Sequence, residues 1–265
     1  MISTIRLDGQ WHFYADEKKK YTGFVPQDSV FTDTVRLPGT TAQNGKGKPN
    51  EKREDGFLTE LYPYKGNAWY CREVQIPEKL HSKKMMLFLE RTRVTTLWVN
   101  GQYIGTQDSL CTPHVYDISN FSHAHTLRLC ICVDNTDYPA AGGHMTSPDT
   151  QTNWNGITGE VSLRFYDENC IISVKAEPDA QKRQVTLRMR TQGTVNILCA
   201  EGTWVGKEET EIPSQVLSVT RNADGEAVAV MPLGSDAPLW DEYNPVFARL
   251  MLRPFGSQDV TEVQF

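Results

Sequence analysis

An all-β chain built as two successive sandwiches is what this sequence predicts, and three observations predict it. Through the first 165 residues no stretch sustains a 3.6-residue apolar period, and the apolar residues alternate along short runs instead. Turn signals separate those runs, the strongest being Asn100-Gly101, whose residue types suit a type I′ hairpin turn with φ > 0 at both central positions. After Phe165 comes a short polar joint, Asp167-Glu168-Asn169, beyond which roughly seven further strand-like runs follow, the number expected of an immunoglobulin-like sandwich. The fold expected is therefore a jelly roll over residues 1–166 followed by an immunoglobulin-like β-sandwich over residues 167–265. A length of 265 residues with 39% hydrophobic composition suits that division into two domains.

The elements follow in order. Leu7-Asp8-Gly9-Gln10-Trp11-His12-Phe13-Tyr14 opens with a turn signal and continues as an aromatic alternation, a first strand. Val35 to Thr41 is a short strand ended by Pro38-Gly39, and Ala42 to Lys65 has no periodicity and reads as a long loop, a type that is usually functional or disordered. Trp69 to Ile76 is a strand stopped by Pro77. Met85 to Glu90, Thr95 to Val99 and Gln102 to Gly105 give a strand and a hairpin, and His114 to Ile118 and Thr126 to Val133 add two more. In the second domain the runs are Ile171 to Val174, Val185 to Met189, Val195 to Cys199, Val216 to Val219, Ala227 to Val230, Val246 to Leu252 and Val260 to Phe265.

The first domain is organised around Thr150-Gln151-Thr152-Asn153-Trp154-Asn155-Gly156-Ile157-Thr158-Gly159-Glu160-Val161-Ser162-Leu163, an amide-rich loop that delivers an alternating strand. Gly156 and Gly159 permit either φ > 0 or close approach to another segment.

Composition excludes several functions. A net charge of −6 gives no basic surface for phosphate backbones, so nucleic acid is not an expected partner. No run approaches the ~18 apolar residues of a membrane span, and the N-terminus has no apolar signal core. The cysteines at 71, 111, 130, 132, 170 and 199 form no CxxC pair and read as free, buried small hydrophobes. His123-Ala124-His125 has no third ligand nearby in the chain, so the histidines read as surface residues and no metal is expected. Asp134-Asn135-Thr136-Asp137 lacks the rest of a calcium loop and reads as a strand-end turn, and Asn50-Glu51 as solvated loop charge. No nucleotide, P-loop or GxSxG fingerprint is present, and no cofactor is expected.

An ordered series of segments resembles the N-terminal half of glycoside hydrolase family 2 enzymes, the β-galactosidase, β-glucuronidase and β-mannosidase group. Leu7 to Phe13 is similar to the family's opening strand, Leu37-Pro38-Gly39 to its Pro-containing loop and Trp69-Tyr70-Cys71-Arg72 to its aromatic-Tyr-Arg strand. Leu97 to Gly105 resembles its Asn-Gly hairpin, and Val133-Asp134-Asn135 and Trp154-Asn155-Gly156-Ile157 complete the first domain. Leu239-Trp240-Asp241-Glu242-Tyr243-Asn244-Pro245 resembles a segment near the end of the family's immunoglobulin-like domain. Asp259 to Phe265 resembles the strand that leads into the family's catalytic (β/α)8 barrel.

The resemblance implies a piece of a longer retaining β-glycosidase that stops before the barrel, with both catalytic glutamates outside this chain and with that barrel and a β-glycoside as its partners. A stand-alone carbohydrate-binding protein and a structural adhesion module are the other readings. Sugar, linkage and oligomeric state stay open, as does location: glycan degraders of this family are often exported, which fits a periplasmic or extracellular site after loss of a signal and leaves the cytoplasm as the other choice. In the family, jelly-roll loops reach over the barrel to the first sugar subsite. The resemblance places that role on Asp149, Gln151, Asn153, Trp154 and Asn155, together with Thr40 and Thr41. Amides and carboxylates read sugar hydroxyls and an aromatic face stacks on a sugar ring. Asp149 is offset by at least one position from the family's acidic residue. A core position for Trp154 and a turn position for Asn155 compete with sugar contact, because Trp is so often buried and Asn so often in turns.

Overall fold

The structure is a computed structural model and describes residues 2–51, 60–139, 143, 146 and 153–265. Its contacts divide the chain into two compact units, Thr4–Phe165, and Tyr166–Phe265 together with the chain's start.

The first unit contains β1 (Ser3–Arg6), β2 (Gly9–Asp16), β3 (Asp33–Leu37), β4 (Gly39–Thr40), β5 (Asn67–Gln75), β6 (Lys84–Leu89), β7 (Val94–Val99), β8 (Gln102–Gln107), β9 (His114–Asp117), β10 (Thr126–Asp134), β11 (Gly156–Ile157) and β12 (Val161–Tyr166). They form a four-stranded sheet in the order β1-β12-β6-β9, a six-stranded sheet in the order β3-β2-β5-β10-β7-β8, and the small pair β11-β4. This is the jelly roll. Alternation sets its core, as period-2 sequences require: Trp11 and Phe13 of β2, Ala68 and Tyr70 of β5, Leu129 and Ile131 of β10, and Leu97 and Val99 of β7 share one cluster with Met85, Leu87 and Leu89 of β6 and with Val161, Leu163 and Phe165 of β12. At the β7–β8 hairpin Asn100 and Gly101 take φ of 51° and 80°, as the turn requires.

The outer face of the six-stranded sheet is also apolar at its centre. Trp69, Cys71, Trp98, Cys130 and Cys132 cluster there, and Tyr14, Tyr21, Val25 and Phe31 pack against them, three of these coming from the segment between β2 and β3. The expectation of six free cysteines is corrected at this point: Cys71 and Cys130 are disulfide-bonded. β5 and β10 run antiparallel in a register that sets these two residues directly opposite each other, with Cα atoms 4.2 Å apart. Cys132 and Cys170 are buried thiols, whereas Cys111 is exposed and Cys199 half-buried.

A second correction concerns His114, which is fully buried rather than at the surface. Its Nδ1 lies 2.6 Å from the Thr95 hydroxyl and its Nε2 lies 2.8 Å from the Ser109 carbonyl, to which only an N–H can bond. Nε2 is therefore the protonated nitrogen and Nδ1 the acceptor. Burial lowers its pKa against the pull of Ser109 and Asp108, which keeps the ring neutral.

The second unit contains β13 (Cys170–Asp179), β14 (Gln184–Gln192), β15 (Ile197–Val205), β16 (Thr210–Ser218), β17 (Thr220–Arg221), β18 (Ala227–Pro232), β19 (Phe247–Pro254) and β20 (Thr261–Gln264). The orders β13-β14-β18-β17 and β16-β15-β19-β20 reproduce the two facing sheets of an immunoglobulin-like sandwich. Val185, Leu187 and Met189 of β14 and Leu250 and Leu252 of β19 form the centre of its core. The short β17 carries no apolar pattern of its own, so the sequence gives no signal for it.

Candidate functional site: the polar frame between β10 and β11

The span between β10 and β11 is tied down at both ends by amide side chains. β10 ends at Asp134, whose Oδ1 accepts from the Thr136 backbone N–H and hydroxyl at 2.8 and 2.7 Å, while Oδ2 pairs with Lys19 at 2.5 Å. This is a strand-end turn with its acceptors occupied, in agreement with the turn reading. Asn135 follows and is fully buried. Its amide donates to the carbonyls of Tyr64 and Asn153 at 2.7 and 2.8 Å, and its Oδ1 accepts from the Gly66 N–H at 3.0 Å. Asn153 answers in kind, donating to the Asn135 carbonyl at 2.7 Å and accepting from the Tyr138 hydroxyl at 2.8 Å. Two reciprocal amides thus close the span at its base.

Asn155 performs the same task one layer deeper. It is fully buried, its amide donates to the carbonyls of Gly66 and Val133 at 3.2 and 2.8 Å, and its Oδ1 accepts from the buried Tyr70 hydroxyl at 3.1 Å. Its own carbonyl accepts from the Thr41 N–H at 2.8 Å. Each of these buried polar groups would cost about 1–3 kcal/mol if left without a partner. The chain then enters β11, where Gly156 has φ 138° and faces Thr40 of β4. A Cβ at Gly156 would stand 2.3 Å from the Gly39 carbonyl oxygen, so only glycine fits. At Gly159 a Cβ would meet the Glu90 side chain at 2.5 Å, the close approach expected of this glycine.

Arg93 lies immediately before β7 and is fully buried. Its Nε donates to the Trp154 carbonyl at 3.1 Å, and its guanidinium carbon sits 4.0 Å from the centre of the Trp154 ring and 5.9 Å from that of Tyr138. A desolvated cation over an aromatic face is worth about 2 kcal/mol, so Arg93 fixes both the backbone and the ring of residue 154. Burial lowers the Arg93 pKa, opposed by Tyr138 and Glu60. Burial also pushes the Tyr138 hydroxyl up to about 12, with Arg93 acting the other way, and raises the Glu60 carboxyl against Arg93 and Lys65.

Of the residues expected to meet a sugar, Thr41 and Asn155 are buried and bonded inside this frame, which makes them supports with no surface to offer a ligand. Thr40, Asn153 and Trp154 are half-buried at its edge, and the Thr40 hydroxyl accepts from the Gln43 N–H at 3.0 Å. Asp149 and Gln151 lie outside the described residues. Arg93 and Tyr64 carry no motif in the sequence, and Asn135 and Tyr70 stand there only as members of strand motifs and not as candidate site residues. Arg93 had a signal: it shares strand parity with Thr95, Leu97 and Val99, all of them buried, so alternation alone turns it inward. Among the described residues no three His, Cys, Asp or Glu side chains gather as a metal site, although His81 and His125 rings pack edge-on at 4.8 Å. The chemistry such a frame can supply is positioning.

Known proteins agree with this architecture. The chain is 18% identical to a β-galactosidase of Halalkalibacterium halodurans over 94% of its own length and 26% of that enzyme's. It is 28% identical to a β-galactosidase of Thermoanaerobacterium thermosulfurigenes over 67% of its length and 23% of that enzyme's. It thus spans about a quarter of these relatives. Among solved structures, a Faecalibacterium prausnitzii β-glucuronidase superposes with a TM-score of 0.67 at 18% identity, covering 100% of this chain and 46% of that one. A Ruminococcus gnavus β-glucuronidase gives 0.66 at 17% identity, covering 99% and 44%. The family model described as glycosyl hydrolases family 2, sugar binding domain, matches residues 5–166, which hold the whole frame described above, and through this domain the chain belongs to glycosyl hydrolases family 2.

Proposed function

We propose that this chain is the sugar-binding and immunoglobulin-like part of a β-glycoside hydrolase, and that the jelly roll presents the 136–152 span to the sugar bound by a catalytic barrel that this chain does not contain. The observation that carries the reading is the polar frame itself, which spends Asn135, Asn153, Asn155 and Arg93 on fixing the two ends of a span rich in sugar-reading residues. The family match and the fraction of the β-galactosidases covered support it. On this reading Asp149 and Gln151 contact the sugar together with the exposed edges of Thr40, Asn153 and Trp154. The reaction is retaining, and its two carboxylates lie outside these 265 residues.

The chain alone is then expected to turn over no chromogenic β-galactoside, β-glucuronide or β-mannoside. Hydrolysis abolished by replacing an acidic residue within it would refute the proposal. In the longer hydrolase, Asp149→Ala is expected to lower kcat/KM about tenfold, roughly 1.4 kcal/mol of transition-state binding, with Tm unchanged. Unaltered kinetics for Asp149, Gln151 and Asn153 replacements alike would leave the span a purely structural element. We further read residues 1–166 and 167–265 as separately folding domains, tested by expressing 1–166 alone. An unfolded product beside a well-folded 265-residue chain would move the boundary.

A further inference from the structure

A groove of about 610 Å3 runs over the outer face of the six-stranded sheet, within the first unit and built by residues other than those of the polar frame. Its floor crosses β2, β5 and β10, where the register sets His12 opposite Cys71, Cys71 opposite Cys130, and Glu73 opposite Arg128. Outward-pointing side chains therefore stand in rows about 5 Å apart across the strands and about 7 Å apart along them. One wall is the turn that carries Asp28 and Phe31, held down by the ion pair between Asp28 and Arg128. Gln10, His12 and Glu73 are exposed, and Phe31 is half-buried.

From this groove we infer a second carbohydrate site, one that takes a neutral oligosaccharide chain. The lining supplies what a pyranose chain needs: planar polar groups at Gln10, His12 and Glu73 that can bond paired hydroxyls, beside the half-buried Phe31 ring for the C–H face of a ring. The charges select against other ligands. Asp28 and Glu73 are balanced by Arg72 and Arg128, so a phosphate or sulfate chain meets no net positive field, and the apolar part is too small for a protein helix or strand. The volume lies within the range of small-ligand sites. Because the polar groups sit on paired strands their backbone is already ordered, and binding costs chiefly the rotamer freedom of the exposed side chains.

This inference rests on the family's sugar-binding domain and not on the 136–152 span, and its test contains no hydrolysis step, so its failure leaves the reading of that span intact. The 265-residue chain is titrated with cellotetraose, β-1,4-galactotetraose and β-1,4-mannotetraose to about 10 mM, since an open groove is expected to bind near millimolar, and is followed by amide NMR shifts. At least one of the three is expected to give saturable shifts centred on residues 10–12, 28–31, 71–73 and 128. Glu73→Ala and His12→Ala, both at exposed positions, are each expected to weaken that binding about tenfold with the amide spectrum otherwise retained. Gln10→Ala serves in the same way if either variant loses its fold. No saturable response from any of the three would overturn the site. So would binding that survives all three substitutions, or tighter, salt-sensitive binding of a sulfated heparin tetrasaccharide.

Discussion

The two units solve the same problem, burying the faces of two sheets, with different materials. In the immunoglobulin-like unit the fully covered side chains are apolar, aliphatic ones together with Cys170, Met189 and Met231, and its buried polar residues are Ser257 and Asp259, beside the joint. Asp259 there accepts from the Asp167 N–H at 2.6 Å, and the Ser257 hydroxyl donates to Asp167 at 3.0 Å. In the jelly roll Arg93, Asn135, Asn155, Thr41, Thr95 and His114 are all buried, most of them at the end from which the 136–152 span departs. Apolar burial is non-directional and needs only volume. A buried amide is directional, and where each lone pair and proton has its partner it fixes one geometry. The difference teaches that the jelly roll core specifies one polar geometry through directional bonds, whereas the second sandwich is held mainly by packing that needs only volume.

The largest expected effect tests that contrast directly. Replacing Asn155 with Ala strands the Tyr70 hydroxyl and the Gly66 and Val133 carbonyls, at a cost of about 3 kcal/mol or more. Leu250→Ala in the second unit removes apolar packing and costs a similar amount, about 2–5 kcal/mol. The two sites part company on replacement by a residue of similar size: Leu250→Met is expected to recover most of the loss, and Asn155→Leu none of it. Denaturant unfolding of the four variants measures this. An Asn155→Leu protein as stable as the wild type would remove the distinction.

A smaller effect is expected from pH, with opposite signs in the two units. Burial raises the Glu60 carboxyl, so ionising it costs the folded first unit stability above the ordinary carboxylate range, and this cost vanishes once acid protonates the group in both states. Glu60→Gln should therefore raise Tm at about pH 7 and leave it unchanged at about pH 3. In the second unit, hydrogen bonds from Lys175 and Arg188 hold Glu177 down to about 2. Its contribution is present above the ordinary glutamate value and fades as pH falls toward 2, and solvent screening at this partly exposed position keeps it small. Glu177→Gln should lower Tm slightly at neutral pH, less so as acid is added. Equal responses from the two substitutions would argue against the buried character of Glu60.

The third expectation alters no stability and sharpens only the assignment of sulfur. Unfolded without reductant, the chain should titrate at Cys111, Cys132, Cys170 and Cys199, and Cys71 and Cys130 should join them only after reduction. Peptide mapping after alkylation locates the pair. Six reactive thiols before reduction would restore the reading of free cysteines.

Most strands were legible because alternation and turn chemistry are local. Asn100-Gly101 announced its hairpin, and Gly156 and Gly159 announced close approaches that the structure contains. The Cys71–Cys130 pairing was not legible, because β5 and β10 are distant in sequence and nothing local says that they are neighbours. Asn155 reads as a turn former from its type, and only the carbonyls arriving from Gly66 and Val133 make it a buried support. Arg93 is the instructive miss: a cation that follows the exposed Arg91 in a Thr-rich run looks like surface until its parity with the buried Thr95 and Leu97 is counted.

The contact between β4 and β11 has a consequence for how this domain can change over generations. Gly156 lies so close to Gly39 that no other residue fits there, while Asn135, Asn153 and Asn155 are committed to one another and to neighbouring backbone. These anchors are therefore the positions at which the domain has least freedom to vary, because each replacement either strands a backbone partner or meets the Gly39 carbonyl.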